Sequence, residues 1–180
     1  VGVLPVEIDL QQGQPQRGSM TQQPPHFLRT YEPAPWAEAL GIAADDLLPG
    51  YPIQTVSTGT PQVMIPVRSL AVLERLQPDE HALKRLHESG DWFSLHVFTP
   101  MPTKRPTRPM RATSGSATGG MSCYLFRDGL VRATAVTVEQ GHIMGRPGLV
   151  DVELEGTPEH ITAIRIAGPA VTVIVGELRL

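Results

Sequence analysis

The sequence holds a single cysteine, Cys123, among its 180 residues. An internal disulfide is therefore excluded, which fits a reducing compartment. Cys123 lies in an apolar run, where a lone thiol reads as a small core residue rather than a nucleophile. No stretch approaches the roughly 18 apolar residues needed to cross a bilayer. No basic segment leads into an apolar one, so no signal peptide is visible. The expectation is a cytoplasmic protein with no membrane partner. The net charge of −3 lacks the basic excess of a general nucleic-acid binder. There is no Walker loop and no dinucleotide fingerprint. The six histidines are scattered, and His81 and His87, six apart, do not share a metal-binding helix face. No metal and no cofactor are expected. The chain also lacks an initial methionine. Val1 opens inside a strand-like run, Val1 to Leu10, which reads as the start of a piece of a longer polypeptide.

What is present suffices for one substantial core: 180 residues, 41% of them apolar. The most informative stretch is Thr113-Ser114-Gly115-Ser116-Ala117-Thr118-Gly119-Gly120, which runs into Met121-Ser122-Cys123-Tyr124-Leu125. Small residues leading into an apolar segment predict a tight loop and then a helix with almost no polar face, hence a buried helix. The first N–H groups of a helix lack partners within it, and its dipole makes that end partly positive. With no bulky side chains in the way, a carboxylate or phosphate can approach them. The plain structural alternative is a glycine-rich helix that packs closely and binds nothing.

Along the chain, Val3 to Leu10 alternates as a strand does, and Gln11 to Pro25, with six glutamines, reads as a connector whose centre could hold a short strand. A short helix is predicted over 33–42, a strand over 51–57, a sharp turn at Thr58-Gly59-Thr60-Pro61 and a strand over 62–67. Helices follow from Ser69 to about Leu76 and from Pro78-Asp79 to Ser89-Gly90. Phe93 to Thr99 reads as a strand. Pro100 to Arg111, with four prolines and four basic residues, reads as a loop. Strands are expected over 133–140, 149–155, 161–167 and 171–175, with 177–180 as one more. The fold class is α+β, mostly antiparallel, with one buried helix among many strands.

Four segments in order carry a resemblance: "STGTPQVMIPVRSL" at 57–70, "SGSATGGMSCYL" at 114–125, "QGHIMGRPG" at 140–148 and "IRIAGPAVTVIVGELRL" at 164–180. Together they resemble the phenazine-biosynthesis-like PhzF family, relatives of diaminopimelate epimerase. The resemblance implies a curved, mostly antiparallel sheet wrapped around a buried central helix, in one of two similar domains with the active site between them. It implies that residues 1–180 are a single C-terminal domain, with 1–15 and 171–180 packing on an N-terminal domain not included here. It further implies a cofactor-independent isomerase or epimerase that moves a proton at carbon, with the catalytic glutamate on the other domain. No catalytic residue is assigned to this chain.

The substrate-binding candidates follow from holding a carboxylate while negative charge builds beside it. Gly115, Ser116 and Ala117 offer backbone N–H groups at the helix start, and Ser116 adds a hydroxyl or serves as a helix N-cap. Ser114 occupies the position that resembles a catalytic cysteine of diaminopimelate epimerase. A hydroxyl is too weak an acid–base for that task alone, which disfavours a two-cysteine racemase. Thr58, Gly59 and Thr60 form a second wall or an ordinary turn. Arg111 stands where family members carry an aspartate. It reverses the charge and either grips an acidic substrate group or belongs to a solvated basic loop. The expected partners are a small carboxylate-bearing substrate and either an N-terminal half or a second copy in a homodimer. A non-catalytic binding module that keeps the fold is the alternative.

Overall fold

The computed structural model describes residues 3–100, 110–112, 117–141 and 145–177, with 110–112 as backbone alone. The chain runs β1 (Val6–Gln11), β2 (Gln14–Gln22), β3 (His26–Tyr31), α1 (Pro33–Ala39), a 3-10 turn (Ala44–Asp46), β4 (Ile53–Ser57) and β5 (Pro61–Pro66). It continues through α2 (Leu70–Glu74), α3 (Glu80–Glu88), β6 (Ser94–Thr99), β7 (Met110–Ala112), α4 (Thr118–Arg127), β8 (Ala135–Gln140), β9 (Gly148–Thr157) and β10 (His160–Pro169). The strands form one ten-stranded sheet in the order β1-β2-β10-β9-β8-β7-β6-β5-β4-β3. Neighbours are antiparallel except β5 with β6 and β7 with β8. The fold is α+β, as the sequence predicts.

Helix α4 organises the sheet. Every residue from Thr118 to Phe126 is buried. It packs on β4 and β5 and also on β9 and β10. β10 and β4 are six strand steps apart in the sheet order. At about 4.8 Å per step a flat sheet would separate them by about 29 Å, far more than the ~10–12 Å width of a helix. Both can touch one helix only if the sheet curls around it. The inner face supplies Val56, Met64, Phe98, Val138, Val152, Leu154 and Ile164 to the core around Met121, Tyr124 and Leu125. Tyr124 also donates its hydroxyl to the Pro52 carbonyl at 2.8 Å.

The outer face of β4 to β6 carries a second core. Ile53, Val63, Ile65, Val67 and Val97 point away from α4 and pack against Trp36, Leu40, Val72 and Leu73 of the outer helices. Strand alternation sorts the two cores: Met64 faces inward while Val63 and Ile65 face outward. Helix α3 begins where Asp79 accepts from the N–H groups of His81 and Ala82 at 2.9 and 3.2 Å, satisfying two donors of its first turn.

Several sequence expectations are corrected. The glutamine-rich connector is mostly the nine-residue strand β2, paired on one side with β1 and on the other with β10. Its polar composition hid it, because pairing on both edges supplies the stability that side-chain burial usually supplies. A tight turn with Gln12 at φ 52° and Gly13 at φ 77° joins it to β1. The end of the proline-rich loop, Met110–Ala112, is a strand joining β6 to β8. The central helix begins at Thr118, with Ala117 as its N-cap, slightly later than the expected start at Gly115–Ala117. Val171–Val175 forms no strand. Its alternation is β-like, but no strand among the described residues takes its N–H and C=O groups, and Val171, Val173, Ile174 and Val175 are 78–87% exposed. Residues 178–180 lie outside the described residues. Among the described residues, no helix is long and apolar enough to cross a membrane.

The inner core predicts unequal tolerance. Met121→Ala, at a fully buried position, should cost about 2–5 kcal/mol. Val6→Ser on β1, where the side chain is 60% exposed, should stay within about 0.5 kcal/mol of wild type. Urea unfolding midpoints of the two variants would check this.

Candidate functional site

Three separate stretches meet at the start of α4. The first is the turn after β4, where Gly59 adopts φ 137°, a conformation that side chains disfavour. That turn places the Thr58 hydroxyl 2.8 Å from Gln22 Oε1, to which it donates. The second is the end of β2, where Gln22 pairs with Ile164 of β10. The third is the first turn of α4. A Cβ on Gly119 would lie 2.0 Å from Gln22 Oε1 and 3.1 Å from Ile166 Cδ1. A Cβ on Gly120 would lie 3.0 Å from Met64 Cε. The two glycines thus let the sheet and the Gln22 carboxamide come close to the helix backbone.

The electrostatics of this point favour an acceptor. Ala117 has no side-chain cap, so no N-cap side chain satisfies the N–H groups of the first turn. The dipole is positive there, and an amide oxygen, not an amide nitrogen, suits that position. Among the described residues, the buried Thr118 hydroxyl in the same turn has no partner, nor has that of Ser122 one turn on. Among the described residues, Gln22 Nε2 donates to no acceptor.

Residues 1–176 match the family model for phenazine biosynthesis-like proteins. The chain belongs to the PhzC-PhzF family. It is 32% identical to an uncharacterised isomerase of Clostridium acetobutylicum over 79% of this chain and 52% of the relative. It is 28% identical to the trans-2,3-dihydro-3-hydroxyanthranilate isomerase of Pseudomonas fluorescens over 96% of this chain and 62% of the relative. A solved PhzF-family phenazine biosynthesis protein of Bacillus anthracis superposes with a TM-score of 0.74 at 26% identity, covering 99% of this chain and 66% of that one. A hydroxyproline epimerase of Agrobacterium vitis, at 12% identity and a TM-score of 0.54, shares the fold alone. The chain therefore spans only 52% and 62% of the two curated relatives. The match over 1–176 does not by itself mark it as the C-terminal half of such a protein.

The sequence candidates distribute unevenly in this PhzF-family chain. Ser114, Gly115 and Ser116 lie outside the described residues. Arg111 sits in β7 opposite Thr99 and Glu139, and its side chain is likewise outside the description. Ala117 is the buried N-cap of α4. Thr58 reaches the helix start through Gln22. Gly59 and Thr60 instead line an open hollow of about 480 Å³ with His87, Asp91, Trp92 and Phe93. Gln22 escaped the sequence reading because it lay in a stretch read as a connector. The one signal for it was its shared parity with Met20, which puts both on one strand face.

Titratable groups near the core are held neutral. His96 on β6 is fully buried, neither ring nitrogen has a partner among the described residues, and its ring stacks on Phe98 at 5.9 Å. Burial lowers its pKa from 6.5 to about 4. Burial pushes the Cys123 thiol up to about 12, which excludes it as a thiolate nucleophile at neutral pH. Among the described residues, no group of His, Cys, Asp and Glu side chains converges as a metal site.

His96 predicts an acid-sensitive fold. Above the unfolded value of 6.5 neither state takes the proton, and stability is at its plateau. Below it the unfolded chain is protonated while the native His96 resists until about 4. Stability should therefore fall by about 1.4 kcal/mol per pH unit across that window. Denaturant melts from pH 7 to 4 should show that slope reduced in His96→Leu by one proton's worth.

Proposed function

We propose that this chain forms one wall of a cofactor-independent isomerase site that moves a proton at carbon on a small carboxylate-bearing metabolite. The observation that carries this reading is the meeting of Thr58, Gln22 and the uncapped start of a wholly buried helix, in a chain whose relatives are named isomerases. Removing a proton next to a carboxylate builds negative charge on its oxygens. Prearranged N–H groups in a site shielded from water stabilise that charge most effectively. In this reading Gly115, Ser116 and Ala117 contact the anion, Ser114 and Arg111 flank it, and Thr58 faces it through Gln22, while Gly59 shapes the turn that carries Thr58. The Pseudomonas relatives' named substrate, trans-2,3-dihydro-3-hydroxyanthranilate, carries the required carboxylate on a ring.

None of the side chains placed around the first turn of α4 — Gln22, Thr58, Met64 and Ile166 — is titratable. The proton carrier in this reading comes from outside this wall, either from the length of the relatives that this chain does not span or from a second copy. The same observation favours a second reading, a binding module that keeps the anion contact without the chemistry.

Incubating the full-length protein with trans-2,3-dihydro-3-hydroxyanthranilate in D2O separates the two. The isomerase reading expects deuterium at a ring carbon of the product, seen by NMR and mass spectrometry. Saturable binding with no deuterium uptake supports the module. No carboxylate binding at all would sink the anion site itself.

A further inference from the structure

We infer that Gln22 is a substrate-contacting residue, whose Nε2 donates to an oxygen of the bound carboxylate. This deepens the reading above and rests on it. The carboxamide is held at one end: its Oε1 accepts from Thr58 at 2.8 Å and lies against Gly119, in space that any Cβ would fill. With the oxygen so fixed, the planar amide fixes the nitrogen too. Nε2 has two N–H donors, and neither meets an acceptor among the described residues. The neighbouring Thr118 hydroxyl is fully buried and equally unpartnered. Donors therefore collect at the positive end of α4, and among the described residues none of them meets an acceptor.

The choice of glutamine over glutamate supports the assignment. A carboxylate at this position would accept the same Thr58 hydroxyl, and its charge would interact favourably with the helix dipole. For stability alone glutamate is the better residue. Glutamine keeps the site neutral, so an incoming anion meets donors instead of a like charge. Gly119 has a matching role. Any side chain there would push the carboxamide away from Thr58 and misdirect its nitrogen. The ligand class is thus a carboxylate whose oxygens are shared between the helix start and an amide N–H.

The test compares the full-length wild type with Gln22→Glu and Gln22→Met by calorimetric titration with anthranilate and its neutral amide, anthranilamide. Gln22→Glu should melt at or above the wild-type temperature. It should bind anthranilate more than about tenfold more weakly, since like-charge repulsion adds to the loss of a hydrogen bond to a charged group. Anthranilamide, which can donate to the new carboxylate, should lose less, so the acid-to-amide preference falls. Gln22→Met, which lacks the donor without adding charge, should lose anthranilate affinity by a smaller factor. Equal weakening of both ligands would mark Gln22 as merely structural and overturn the inference, as would unchanged anthranilate binding in both variants. Should the wild type bind neither ligand, this inference and the anion site beneath it both fall. If the wild type binds and the variants keep its preference, only the role of Gln22 is lost.

Discussion

A helix with no exposed face has to be enclosed on every side, and most of the architecture follows from that requirement. Helix α4 presents Met121, Tyr124, Leu125 and Phe126 to the interior and almost nothing to water. A flat sheet covers only one side of such a helix, so strands far apart in the sheet order, β4 and β10, must both reach it. Enclosure also sets the polar chemistry. Buried backbone groups at the ends of α4 must find partners in the sheet or in short side chains. At its C-terminal end the Leu125 and Phe126 carbonyls accept from the N–H groups of Val131 and Gly129. At its N-terminal end, the Gln22 amide oxygen rests against Gly119.

The sequence showed α4 well because a long apolar run after small residues has few other uses. It also showed the strand pair around Gly59, since a turn glycine between two alternating segments is a local signal. It hid β2 because that strand's stability is non-local. Gln14 to Gln22 gains its place by pairing with β1 and β10, and β10 lies some 140 residues further along the chain. The reverse error came from Val171–Val175, where local propensity was strong and the necessary neighbour was absent among the described residues. Gln22 failed to stand out for the same reason as its strand. A polar side chain becomes informative only when tertiary contacts show what it faces.

The site that emerges differs in emphasis from the one the sequence suggests. The glycine-rich loop drew attention as a backbone cradle. In the fold, the point of convergence is a side-chain contact between strands remote in sequence, with the glycines allowing close approach. Both descriptions concern the positive end of one helix. Only the second explains why Thr58, some sixty residues before α4, belongs with it. It also explains why the core around the site is kept free of ionised groups. His96 and Cys123 are neutral because the enclosure that shapes the site excludes water from them as well.

The exposed segment Val171–Val175 has a consequence for colloidal behaviour. Val-Thr-Val-Ile-Val contains no charge, no proline and no glycine, and its backbone is not paired in the sheet. Short segments of that composition are the kind that stack into cross-β fibrils when many copies present them at once. β1 adds a second hazard nearby, an edge strand with Val6, Ile8 and Leu10 more than half exposed. Covering either stretch, by another part of a longer chain or by a second copy, would remove that hazard.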